Sequence, residues 1–382
     1  MRRDDAYRLE LLVLQPTPFC NLDCDYCYLA ERSSTARMSP AVLRRTIEQV
    51  LASGFVHDGF TVVWHAGEPL VVPIEYYEQA LEMISQLTAP AGVHVDHALQ
   101  TNATLVTPTW CEFLLRHDIR VGVSVDGPAF LHDAHRKTRS GKGTHERVMR
   151  GIRCLQEHGV DFHVISVLTM DALAYPDELF DFYVTNGIRR VGFNIEEIEG
   201  LNKSSTLSPF EASRKFRAFM TRFLERVSAR GTPLEVREFE GFEQLITEKT
   251  EYLRQNQENT PLRIISVDWA GNFSTFSPEL LGVRNDIYGT FYLGNVIQDD
   301  LATVTTTRKF LRMVEDVEAG IAACERTCDY FGLCGGGSPS NKFFETGSFR
   351  GTETLHCRLS KKVMADLLVE RFEQSLGLLA QS

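Results

Sequence analysis

The 382-residue chain is 43% hydrophobic and 24% charged, an ordinary globular composition that excludes a disordered or fibrous protein; at about 150 residues per domain it has the length of two or three domains. A formal net charge of −11 argues against a nucleic-acid-binding face. No apolar run approaches the roughly 20 residues that cross a bilayer and no signal-peptide stretch follows Met1-Arg2-Arg3-Asp4-Asp5, so a cytoplasmic protein with neither nucleic acid nor membrane as partner is expected.

In chain order, Leu9–Leu14 reads as a strand. A helix starts after Ser39, whose hydroxyl suits the N-cap, with Pro40 at the first helical position. Phe60–Trp64 (strand), Ile74–Leu87 (helix), Val93–Leu99 (strand) and Pro108–His117 (helix) continue the alternation. Arg120–Val125, Phe162–Leu168 and Arg190–Phe193 are further strands, separated by helices at Thr144–His158 and Pro176–Asn186. About six such units predict an α/β fold, a parallel sheet with helical crossovers. Apolar runs such as Val62-Val63-Trp64 and Val164-Ile165-Ser166-Val167 predict strands covered on both faces. From about Leu201 the rhythm changes: Ser208–Ser228 is one long helical pattern, followed by a charged stretch through Gln255-Asn256-Gln257-Glu258-Asn259. Beyond it, Leu262–Val267 and Phe291–Leu293 predict short strands, and Leu359–Leu379 a closing helix. No internal repeat is present. The expected organisation is an α/β unit at 1–205, a bridging helical segment at 206–260 and a cysteine-rich domain at 261–382.

Nine cysteines in a reducing compartment point to metal binding or catalysis rather than disulfides. Cys111 and Cys154 lie in helical patterns and are expected as small buried hydrophobes. The other seven crowd the two ends. Cys20-Asn21-Leu22-Asp23-Cys24-Asp25-Tyr26-Cys27 has the form C-x3-C-x2-C, directly after a strand. Three thiolates so spaced can hold three irons of a [4Fe–4S] cube and leave the fourth iron open for a substrate. Structural zinc is the alternative, but it asks for four ligands, and the next cysteine, Cys111, is far along the chain. At the other end Cys324, Cys328 and Cys334 follow C-x3-C-x5-C, with Cys357 later. Four thiolates complete the ligand set of a closed cluster, zinc again being the alternative.

The C-x3-C-x2-C segment with Tyr26 before its last cysteine resembles the signature of radical S-adenosylmethionine (radical SAM) enzymes. The resemblance implies a partial (β/α)6 TIM-like barrel with its chemistry at the C-terminal strand ends. It also implies a reduced cluster that cleaves SAM to a 5′-deoxyadenosyl radical, which abstracts hydrogen from the substrate. His65-Ala66-Gly67-Glu68-Pro69 resembles the family's Gly-Gly-Glu-Pro motif, with Ala66 in place of the first Gly. By that resemblance Gly67 and Glu68 meet the SAM amino group, Asn102 the ribose, and Arg136 the SAM carboxylate, with Ser124 at the end of the fourth strand. Taken singly, Asn102 reads as a turn former, Arg136 as a surface ion pair and Ser124 as a strand-end hydroxyl.

The C-terminal cysteines resemble the SPASM extension of peptide-modifying radical SAM enzymes, with one extra residue in the first gap. Fuller SPASM domains hold a second auxiliary cluster through a Gly-x4-Cys hairpin; here Gly271-Asn272-Phe273-Ser274-Thr275-Phe276 ends in Phe. Two [4Fe–4S] clusters are therefore expected, with SAM as the other cofactor. Asp268 and Glu279 flank that hairpin and are candidate proton acceptors, or else solvated turn carboxylates. Glu196, Glu197 and Glu199 follow the sixth strand, and at least two are expected to face solvent.

Over nearly the whole chain, and most in Cys334-Gly335-Gly336-Gly337-Ser338-Pro339-Ser340-Asn341-Lys342 and Thr352–Arg358, the sequence is similar to maturases that form cyclophanes in glycine-rich ribosomal peptides. The implied reaction joins an aromatic ring carbon to a side-chain carbon of a precursor peptide, with flavodoxin or ferredoxin as electron donor. Formylglycine formation of the sulfatase-maturase kind, epimerisation and thioether formation are alternatives. From a different class, the alternative is a non-enzymatic metal-binding interaction protein. So few residues precede Leu9 that a separate recognition domain is not expected there; an extended leader is expected along a sheet edge or the 208–260 segment.

Overall fold

The computed structural model describes residues 7–229, 231, 233–240 and 253–377. Part of the expected bridging segment and the end of the expected closing helix lie outside these residues. A single sheet organises the molecule. Strands β1 (Leu11–Leu14), β2 (Gly59–Trp64), β3 (His94–Thr101), β4 (Arg120–Ser124), β5 (Phe162–Leu168), β6 (Arg190–Ile195) and β7 (Glu235–Val236) run parallel in chain order. Helices α1 (Pro40–Ala52), α2 (Ile74–Thr88), α3 (Pro108–Arg116), α4 (Ala129–His135), α5 (His145–Glu157) and α6 (Pro176–Thr185) connect them, and α7 (Glu211–Val227) follows β6.

Local chemistry sets the element ends. Ser39 Oγ accepts from the Val42 N–H at 3.2 Å and Pro40 opens α1, as the sequence predicts. Thr107 caps α3 in the same way, its Oγ1 accepting from the Trp110 N–H at 3.3 Å. The expectation of strands covered on both faces holds for β1, β4 and β6, where consecutive residues are buried, while β2 and β5 alternate buried with half-buried positions. In β5, Val164, Ser166 and Leu168 are buried while Ile165 and Val167 are half-buried.

The sheet does not stop at residue 205. Strand β8 (Ile264–Val267) pairs parallel with β1, Leu11 opposite Ile264, and β9 (Asn272–Thr275) turns back antiparallel on β8. A separate hairpin pairs β10 (Arg284–Asn285) with β11 (Gly289–Thr290), and β12 (Gly294–Asn295) extends the main sheet beside β9. Phe291–Leu293, read above as a strand, is a loop. The run is apolar because Phe291 packs on Tyr288, Phe343 and Phe349, not because it joins the sheet. These rings, with Phe276, Met313 and Val317, form a second core distinct from the main one. Beyond it come α8 (Arg308–Thr327), the short α9 (Phe331–Cys334), α10 (Pro339–Thr346), a π-helical turn at Cys357–Val363 and α11 (Met364–Ser375).

Candidate active site

The C-terminal ends of β1 to β4 converge on a cavity of about 130 Å³ lined by Cys20, Cys24, Cys27, Gly67, Glu68, Asn102, Ser124 and Arg136. All eight were singled out from the sequence. The cysteine loop is held from outside: Arg32 Nη1 donates to Cys24 O at 2.9 Å, Arg139 Nε to Cys20 O at 3.0 Å, and the Asp23 N–H to Lys137 O at 2.7 Å. Burial pushes the Cys20 thiol up to about 12 and the Cys24 thiol up to about 11. Thiolates here would need a cation beside them, as metal ligands have.

Glu68 knits the strand ends together. Its Oε1 accepts from Thr101 Oγ1 at 2.6 Å and the Leu70 N–H at 3.0 Å, and its Oε2 from the Asn102 N–H at 2.8 Å. A carboxylate accepts about four hydrogen bonds, which leaves one position for a ligand. Burial raises its carboxyl to about 7 against those three donors. The next residues explain the motif. Gly67 has φ +115°, and a Cβ there would lie 2.3 Å from Thr17 O and 3.0 Å from Phe19 O. Ala66, which stands at the first Gly of the motif this segment resembles, also has positive φ, 65°.

Asn102 is committed to the cysteine loop. Its Nδ2 donates to Asn21 Oδ1 at 2.8 Å and points to Cys20 Sγ at 3.8 Å, while its Oδ1 accepts from the Thr104 N–H at 3.0 Å. Ser124 Oγ accepts from Gln100 Nε2 at 2.9 Å. Arg136 is the C-cap of α4 and no surface residue: it is 7% exposed and bound to Asp126, itself 3% exposed. Asp126 escaped the sequence reading, although it directly follows Ser124-Val125 at the end of β4. It accepts from the Val167 N–H at 2.9 Å and from Tyr26 Oη. Desolvation pushes its carboxyl up, but Arg136 outweighs that and holds it below the usual carboxylate range.

The four C-terminal cysteines, Cys324 to Cys357, line one cavity of about 160 Å³ with Gly336, Gly337, Lys342 and Lys362. The Gly-rich segment is clamped by the charged stretch before β8. Asn256 Nδ2 donates to Cys334 O at 2.8 Å and Asn259 Nδ2 to Gly335 O at 2.7 Å. Among the described residues, only Cys111, Cys154 and His158 bring three ligand atoms within 4.8 Å of one another. Cys111 and Cys154 lie in α3 and α5 as expected, with sulfurs 3.7 Å apart; Cys111 is buried as expected, whereas Cys154 is half-buried.

Between the two cysteine sets lies a group of acids. Glu196 and Glu199 are both 8% exposed and Glu197 is half-buried, which corrects the expectation that at least two face solvent. The reason is that the loop after β6 folds under α10: Glu199 Oε1 accepts from Asn341 Nδ2 at 3.1 Å and Ser340 Oγ at 3.3 Å. Burial pushes Glu279 up to about 7, and burial with Glu279 and Glu258 nearby pushes Glu197 up to about 8. Glu279 accepts from Ser277 Oγ. Asp268 instead serves its own turn, with Oδ1 accepting from the N–H groups of Ala270 at 2.9 Å and Asn272 at 2.8 Å. A cavity of about 510 Å³ is lined by Glu197 of this group, together with Glu258, Arg237, His356, Cys334 and Cys357.

The sequence pattern of the radical SAM superfamily matches residues 14–183. An uncharacterized protein of Synechocystis sp. is 44% identical over 371 residues, covering 96% of this chain and 93% of that protein. The serine-type anaerobic sulfatase-maturating enzyme of Bacteroides thetaiotaomicron is 35% identical over 184 residues, 47% of this chain and 44% of that enzyme. The match thus spans about half of either protein. Among solved structures, native anSMEcpe with bound AdoMet and Cp18Cys peptide superposes with a TM-score of 0.78 at 20% identity, covering 97% of this chain and 99% of that one. Streptococcus suis SuiB bound to precursor peptide SuiA gives a TM-score of 0.62 at 17% identity, over 92% of this chain and 76% of that one. At these identities the structural likeness concerns the fold. Among the described residues no helix is long and apolar enough to cross a membrane.

Proposed function

This chain belongs to the radical SAM superfamily and is an enzyme acting through radical chemistry, and we propose that it joins an aromatic ring carbon to a side-chain carbon, forming a cyclophane in a ribosomally made, Gly-rich precursor peptide. When bound, a [4Fe–4S] cluster at Cys20, Cys24 and Cys27 with SAM supplies hydrogen-atom abstraction. The residues fit that pair: three half-buried thiols line the same cavity as Glu68, which has one free acceptor position, and as Gly67. Glu68 orients the SAM ammonium, Ser124 and Gln100 offer polar contacts beside it, and Arg136 takes the SAM carboxylate from its anchorage on Asp126. Asn102 holds Cys20 in place rather than reading the ligand alone. The peptide lies along the 510 Å³ cavity that Glu197 lines, and Glu279, whose charge acts on Glu197 and whose own carboxyl is raised, accepts the proton lost on cross-linking. Flavodoxin or ferredoxin would supply the electron that cleaves SAM, and the C-terminal cysteines would hold an auxiliary cluster that takes up the electron released as the ring regains aromaticity. The bound peptides of anSMEcpe and SuiB support a peptide substrate.

The observation that carries cross-linking over formylglycine formation is Phe276. Its ring is fully buried and packs 6.2 Å from that of Phe349, so hydrocarbon fills the end of the hairpin where a further cluster ligand would stand. The second reading, sulfatase-type maturation, is favoured by the Bacteroides thetaiotaomicron relative. Tandem mass spectrometry of a Gly-rich, aromatic-containing peptide produced together with the enzyme separates them. Cross-linking removes two hydrogens per link, with an aromatic residue joined to a nearby side chain. An aldehyde at Ser or Cys would instead establish the second reading, and a mass-neutral product with inverted α-carbons an epimerase.

A further inference from the structure

Lys342 is 3% exposed, on the buried side of α10. Its Nζ lies 3.4 Å from Cys324 Sγ. Among the described residues no carboxylate comes within 4.0 Å of it. A buried ammonium without an anionic partner costs several kcal/mol, and a neutral thiol is only a weak acceptor. The position is nonetheless built to hold the cation. Gly320 of α8 leaves room for it, since a Cβ there would lie 3.2 Å from Nζ and 2.2 Å from Phe349 O. The two residues before it, Ser340 and Asn341, are bound to Glu199, so α10 cannot slide to bring the amine to water. The other lysine of the same cavity, Lys362, is different: it is partly exposed and paired with Glu353.

We propose that Lys342 is the charge partner of the C-terminal cluster and raises its reduction potential. This rests on the proposed auxiliary cluster at Cys324, Cys328, Cys334 and Cys357. A thiolate-ligated cluster is anionic and becomes more so when reduced by one electron, so a buried cation beside one of its sulfurs stabilises the reduced form more than the oxidised one. Lys362 contributes less, because Glu353 neutralises it and solvent screens it. The device favours a C-terminal cluster that takes up electrons over one that gives them away.

The test is an anaerobic dithionite titration followed by electron paramagnetic resonance, on full-length protein loaded with iron and sulfide. Cys20, Cys24 and Cys27 are changed together to Ala, so that the remaining signal belongs to the C-terminal cluster. Lys342→Met should lower the midpoint by about 59 mV or more, a tenfold shift in the ratio of reduced to oxidised cluster for one electron, with iron content unchanged. Lys342→Arg should restore most of the shift, and Lys362→Met should move the midpoint far less. Should Lys342→Met fail to load, Lys342→Gln, which keeps a donor without the charge, carries the same test. A midpoint equal to that of the parent in loaded Lys342→Met or Lys342→Gln protein overturns the role of Lys342 and leaves the cluster standing. Absence of any cluster signal from the parent overturns the cluster, and the proposal with it.

Discussion

Arg136 grips Asp126 with both prongs of its guanidinium: Nε donates to Oδ2 at 2.8 Å and Nη2 to Oδ1 at 3.0 Å. The pair ties α4 to the ends of β4 and β5, because Asp126 also accepts from the Val167 N–H. It reaches the cysteine loop as well, since Tyr26 bonds to Asp126 and lies under the guanidinium at 5.4 Å. An arginine anchored in this way has its rotamer settled before a ligand arrives, which lowers the entropy lost on binding.

Removing one member of a buried ion pair strands the other, at a cost of roughly 3–5 kcal/mol. Asp126→Asn and Arg136→Ala should therefore both lower the denaturant midpoint by a comparable amount. Arg136→Ala should in addition weaken SAM binding measured by calorimetry on loaded protein. Unchanged SAM affinity in a folded Arg136→Ala protein would leave Arg136 with the structural role alone.

Gly67→Ala should be severe for its size. The added Cβ would meet Thr17 O at 2.3 Å at a φ of +115°, so the backbone leading into the cysteine loop must shift. A loss of roughly 1–3 kcal/mol is expected from the strained backbone alone. Thermal unfolding should show it, and iron bound by the N-terminal site should fall. A variant with parental melting temperature and iron content would contradict the close-packed geometry.

The buried acids impose a pH dependence. Folding raises Glu279 to about 7 and Glu197 to about 8 from an ordinary value of 4.5. Between the unfolded and folded values the folded protein binds more protons, so stability falls as pH rises. The contribution is complete below 4.5 and is lost as pH passes through about 7 and then about 8. Urea midpoints from pH 6 to pH 9 should decline in the parent and decline less in Glu279→Gln, as roughly 1.4 kcal/mol per pKa unit is at stake for each group. Parallel curves for the two proteins would show that Glu279 does not titrate in this range.

Metal content separates cluster from zinc at each end. Anaerobic reconstitution should yield about eight iron and about eight sulfide per chain, two cubes of four. Changing Cys20, Cys24 and Cys27 to Ala should halve the iron and abolish SAM cleavage. Changing Cys324, Cys328 and Cys334 should halve it too, yet leave uncoupled SAM cleavage. About twelve iron atoms would contradict the reading of Phe276, and stoichiometric zinc would refute the C-terminal cluster.

The strand-helix alternation and the two cysteine sets were legible in the sequence itself, and resemblance to a family motif supplied Gly67, Glu68, Asn102, Ser124 and Arg136 of the residues that line the N-terminal cavity. The first two are carried by short-range pattern: alternation of apolar runs and a ligand spacing within one loop. Ser39 and Pro40 were legible because the physics that places them acts within a few residues. Tertiary structure alone decided which polar groups are satisfied by which. Glu199 and Asn341 meet across 142 positions, and no local signal distinguishes such a carboxylate from a solvated one. Asp126 gave no signal in the sequence, because its partner Arg136 reaches it only through the fold of α4. Phe291 reads as a strand residue because burial against Phe343 and Phe349 leaves the same apolar mark on the sequence as burial in a sheet. Lys342 is the clearest case: a lysine belongs on the surface by composition, and only the folding of α10 against α8 puts its charge beside Cys324, away from water.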